Sequence, residues 1–75
     1  MSELSRVEVE RICRLASEAG MKFQLIRQVK KFDLKNVLTV IHEDRPILIV
    51  SGVSKSEVLS RACATLLAKN PGWSS

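Results

Sequence analysis

The chain has 75 residues, 45% hydrophobic and 27% charged, with 12 Lys and Arg against 8 Asp and Glu for a net charge of +4. That length allows one domain, and that composition is globular; it excludes a disordered or multidomain chain. So small a domain buries only about 60% of the surface of its unfolded chain, so each core side chain carries a large share of the stability.

The first helix is marked by Ser5-Arg6-Val7-Glu8, a Ser-x-x-Glu capping box, with Leu4 and Val9 placed as a hydrophobic staple across it. Val9, Ile12, Cys13, Ala16 and Ala19 then recur at helical spacing and form one apolar face. Gly20 is suited to a left-handed closure. These signals predict a helix over about 6–19.

From Met21 the period shortens. Phe23, Leu25 and Val29 alternate with Gln24, Gln28 and Lys30, the pattern of a half-buried strand, and Ile26 breaks the alternation as a twist or bulge would. Lys30-Lys31-Phe32-Asp33-Leu34-Lys35-Asn36 reads as a basic connector. Val37-Leu38-Thr39-Val40-Ile41 is β-branched and apolar, a second strand. Glu43-Asp44-Arg45-Pro46 is a hairpin turn, and a third strand runs from Ile47 to Ser51.

Gly52 ends the sheet. Ser54-Lys55-Ser56-Glu57 is a second capping box, with Val53 and Val58 as its staple. Val58, Leu59, Ala62, Cys63, Leu66 and Leu67 make a wide apolar stripe that Pro71 stops. Asn70 to Ser75 reads as a frayed tail, leaving an ordered core of about 4–70; Trp73 within it either packs back or meets a partner. The expected fold is a two-layer α+β domain in the order α-β-β-β-α, with a three-stranded antiparallel sheet and both helices on one face. Phe23, Leu25, Val40, Ile49, Ile12, Ala16, Leu59, Ala62, Cys63 and Leu66 are expected to supply the core.

This layout resembles the double-stranded RNA-binding domain. The stretch from Val40 to Leu67 carries the likeness best: Ile47-Leu48-Ile49-Val50-Ser51-Gly52-Val53-Ser54-Lys55, then Arg61-Ala62-Cys63-Ala64-Thr65-Leu66-Leu67. Leu15-Ala16-Ser17-Glu18-Ala19-Gly20 fits the end of that family's first helix. Where the family's last helix opens Lys-Lys-x-Ala-Lys, this chain has Lys55-Ser56-Glu57-Val58-Leu59, keeping one lysine. Lys31-Phe32-Asp33-Leu34-Lys35 replaces its Gly-Pro-x-His loop. The resemblance implies two phosphate-contacting regions, one at Lys30, Lys31 and Lys35, the other at Ser54 and Lys55, with Arg61 on the same helix.

Read from the residues, a helix start with a lysine suits a phosphate through its exposed amides and positive end, while Ser54 is equally explained as a cap. Duplex RNA is read mostly through shape, phosphates and 2′-hydroxyls, which a basic loop and a basic helix start would suit. Strand three offers a different function. Ile47, Leu48, Ile49 and Val50 are all apolar, so one pair points away from the helices, on an edge strand without charge. That predicts a homodimer or a protein partner through strand three.

No catalytic site, cofactor or metal set is expected. His42 has no nucleophile or carboxylate at a recognised spacing, Glu43 and Asp44 are adjacent turn residues, and Cys13 and Cys63 lie on helix stripes as small core side chains. The longest apolar run, Ile47 to Val50, cannot span a membrane, and the N-terminal residues carry no signal-peptide pattern. A cytoplasmic protein with reduced thiols is expected.

Overall fold

The structure is a computed structural model that describes residues 4–74. It contains α1 (Arg6–Glu18), β1 (Met21–Lys30), β2 (Asp33–His42), β3 (Arg45–Gly52), α2 (Lys55–Lys69) and a 3-10 turn (Pro71–Trp73). The strands form one antiparallel sheet in the order β1-β2-β3. Both helices pack on the same face, giving the expected two-layer α+β fold.

Each helix begins at its expected serine. Ser5 Oγ accepts from Glu8 N at 3.2 Å, and Ser54 Oγ accepts from Glu57 N at 3.0 Å. Neither box is completed by its glutamate. Glu8 holds Arg11 at 2.8 Å, which keeps the Glu8 carboxyl below its ordinary pKa, and Glu57 holds Arg61 at 2.7 Å. Leu4 and Val9, the first staple pair, both pack against the core. The second does not, because Val53 is 73% exposed while Val58 is fully buried. Gly20 closes α1 with φ +87°, a conformation an L side chain resists.

β1 and β2 pair over their whole length, from Met21 opposite His42 to Lys30 opposite Asp33. The expected basic connector is therefore strand on both sides of a two-residue turn, Lys31-Phe32. Lys31 supplies the positive φ that so tight a turn needs, 56°, although it is not glycine or asparagine. The β2–β3 turn does the same twice, with Glu43 at 55° and Asp44 at 63°. β1 runs straight through Ile26 with no irregularity. The bulge lies in β3 instead: Val40 faces Leu48 but Ile41 faces Pro46, which leaves Ile47 as the extra residue.

Because opposed residues share a face, this register fixes the core. Phe23, Val40 and Leu48 form one row on the helix side, and Leu25, Leu38 and Val50 the next. Ile12, Ala16, Cys63 and Leu66 close over Val40, while Val58 and Ala62 close over Leu38 and Val50. Burying each large aliphatic side chain contributes about 1.5–3 kcal/mol. Two residues expected in this core are outside it: Ile49 is 65% exposed on the open face, and Leu25, on the helix side but at the margin of the helices, is 39% exposed. Leu38, Leu48 and Val50 fill the space instead.

The tail is not frayed. Pro71–Trp73 forms the 3-10 turn, Trp73 packs half-buried against the α1–α2 core, and Arg11 Nη1 donates to the Trp73 carbonyl. Ser75 lies outside the described residues. Among the described residues no helix is long and apolar enough to cross a membrane.

Candidate nucleic-acid interface

The helices cover only part of the sheet. On β1 every residue from Gln24 onward is exposed, as are the first three residues of β2. β3 pairs no further than Gly52 opposite Asn36. Beyond that point the β1–β2 ribbon continues alone for three more pairs and its turn, roughly 10–14 Å at about 3.4 Å per residue. It is a two-stranded arm standing off a two-layer body.

The arm is basic. Lys30, Lys31 and Lys35 stand on it against the single carboxylate Asp33, and Arg27 stands at its base. Lys30 and Lys35 share the open face of the sheet, Lys31 occupies the turn, and Arg27 lies on the helix side opposite Asn36. The body's ion pairs are Arg6–Glu10 at 3.8 Å, Arg11–Glu8 at 2.8 Å and Arg61–Glu57 at 2.7 Å; none among the described residues touches an arm cation. The arm's field is therefore little offset locally.

α2 starts at the base of this arm. Asn36 Nδ2 donates to the Val53 carbonyl at 2.8 Å, fastening the link between β3 and α2 to β2. Gly52 permits the close approach, since a Cβ there would stand 3.0 Å from Val58 Cγ1 and 3.2 Å from Glu57 Oε1. Lys55, the first residue of α2, borders an apolar groove of about 140 Å³ lined by Phe23, Leu25, Leu38, Val58 and Leu59. Lys30, Lys31, Lys35, Ser54 and Lys55 thus stand toward one end of the molecule.

Two of the expected contact residues are already engaged. Ser54 Oγ caps α2 and lies 3.1 Å from Ser56 Oγ. Arg61 donates through Nη1 to the Ser51 carbonyl at 2.8 Å and through Nη2 to Glu57 at 2.7 Å, so it fastens α2 to the end of β3. Two further residues belong to this end of the molecule, Arg27 and Phe32. Arg27 has no basic neighbour in the chain to mark it, and Phe32, fully exposed at the apex, sat inside a stretch that reads as a loop. The alternation that marks β1 as a strand runs on through Val29 and Lys30, and so places Arg27 within it.

The four strand-three residues divide. Ile47 and Ile49 lie on the open face, 38% and 65% exposed, and Ile26, on the same face across β2, is 45% exposed. Leu48 and Val50 point to the helices and belong to the core. Trp73, on the helix side, leaves the open face uncovered.

The remaining reactive groups serve the body. His42 Nε2 lies 3.1 Å from the Ala19 carbonyl, joining the end of β2 to the end of α1. Cys13 and Cys63 face each other across the two helices with sulfurs 3.8 Å apart. Burial, with Cys13 adding to it, pushes the Cys63 thiol up to about 12, so it is a poor nucleophile at neutral pH. Among the described residues no group of three or more side chains could hold a metal ion. Compared with protein-family models, curated protein sequences and solved structures, the chain gives no match.

Proposed function

We propose that the protein is a small non-catalytic module that binds duplex RNA through phosphate contacts, with the β1–β2 arm and the start of α2 as its two points of attachment. The observation that carries this reading is the gathering of Arg27, Lys30, Lys31, Lys35 and Lys55 toward one end of the molecule, none of them in an ion pair among the described residues. An A-form duplex offers a wide, shallow minor groove bordered by phosphates, which a narrow basic ribbon can follow. The α-β-β-β-α layout is compatible with the double-stranded RNA-binding domain, and Lys55 stands where that family's last helix meets phosphate.

A gel shift with duplex RNA across a salt series tests it. Affinity should fall linearly in log–log form as salt rises, and each single lysine-to-alanine change should reduce the slope by about one while weakening all sequences alike. A parent that fails to bind at low salt, or a variant lacking Lys30, Lys31, Lys35 and Lys55 that binds as well as the parent, would end the proposal.

The open-face isoleucines support a second reading, a homodimer or protein complex through β3. Ile49→Lys should then shift sedimentation at micromolar concentration toward the monomer while the fold survives. A parent that already sediments as a monomer and forms no complex argues for the RNA reading alone.

A further inference from the structure

Phe32 has no structural role in its own domain. It stands at the apex of the arm, 103% exposed, the most exposed of the large apolar side chains. Its neighbours in the turn are Lys31, in a left-handed conformation at φ 56°, and Asp33, paired with Lys30. The two-residue turn presents the ring beyond the end of the ribbon with cationic side chains behind it. A flat hydrophobic face set among lysines is the combination that stacks on a nucleobase, since every base has a π-face and the flanking phosphates meet the cations.

We infer that Phe32 is a base-stacking residue and that the RNA this protein prefers carries an unpaired nucleotide within a duplex, a bulge or junction, rather than uninterrupted pairing. This rests on the RNA-binding reading above. In a continuous A-form helix the bases are stacked on each other and offer the ring no face. At a bulge one base is already unstacked, so the ring gains a partner without the cost of opening the helix. The lysines of the arm hold the phosphates on either side, and Lys55 reaches the backbone from the body.

The test compares a fully paired RNA with one that has the same base pairs and a single added bulge nucleotide, against the parent, Phe32→Ala and Phe32→Trp. Stacking on one base corresponds to roughly a 5- to 150-fold gain in affinity. The parent should prefer the bulged RNA by a factor in that range. Phe32→Ala should lose the preference, keep its affinity for the paired duplex and keep its salt slope, and Phe32→Trp should retain the preference. Because the ring is fully exposed, thermal unfolding of both variants should match the parent. Equal binding of the two RNAs by the parent, or a preference that survives Phe32→Ala, overturns the inference and leaves the RNA-binding reading standing. Equal weakening on both RNAs overturns it too. Failure of the parent to bind either RNA at low salt removes both.

Discussion

β1 and β2 are each one continuous strand, yet their two halves are different materials. In the body, Phe23, Leu38 and Val40 lie under two helices, and Val40 is wholly excluded from water. In the arm, Val29 opposite Leu34 is the same kind of cross-strand pair, but the two residues are 70% and 46% exposed. Pairing is uninterrupted from one half to the other. The contrast teaches that alternation makes a strand, while the reach of the helices decides whether the strand stabilises the fold or presents side chains to a partner. The 13 residues of α1 and 15 of α2 stop short of the hairpin, so the arm is left to the solvent.

That contrast predicts unequal responses to similar substitutions. Leu66→Ala, in the main core cluster, should cost about 2–5 kcal/mol in urea unfolding, enough to leave so small a domain partly unfolded at room temperature. Gly52→Ala comes next. Its methyl group would press on Val58 and Glu57 where α2 meets β3, and a cost of about 1–3 kcal/mol is expected from the shift of the unfolding midpoint. Val29→Ala, on the arm, should move that midpoint by no more than about 0.5 kcal/mol. A large loss at Val29 would mean that the arm is packed against something and is not a free ribbon.

Much of the body was legible in the sequence. Ser5 and Ser54 are caps with distinctive spacing, and the apolar stripes of both helices keep the helical period. The strand order followed from short connections. What was not legible has common causes. Lys31, Glu43 and Asp44 all take left-handed conformations that glycine or asparagine would advertise, so the arm turn reads as a loop and β2 as beginning at Val37 rather than Asp33. The run Ile47-Leu48-Ile49-Val50 is apolar on both faces, and nothing in it says which pair points inward. The bulge at Ile47 decides, and it has no sequence mark. Of the candidate site, Lys30, Lys31, Lys35 and Lys55 are legible as cations, the engagement of Arg61 with Glu57 and the Ser51 carbonyl is not, because the capping box accounts for Glu57 by itself, and Phe32 is hidden by the loop reading.

A ribbon that is buried at one end and bare at the other should also have two lifetimes. The cross-strand hydrogen bonds between Gln24 and Thr39, in the body, break only when the helices leave, whereas those between Lys30 and Asp33 are sealed by nothing but each other. Amide protons along β1 should therefore exchange on a graded clock, fast at the tip and slowing over a few residues to the rate of global opening. The arm is a compliant finger on a stiff palm. Any partner that grips it must settle the finger's fluctuation at the moment of contact, and slowed exchange at the tip would be the footprint of that grip.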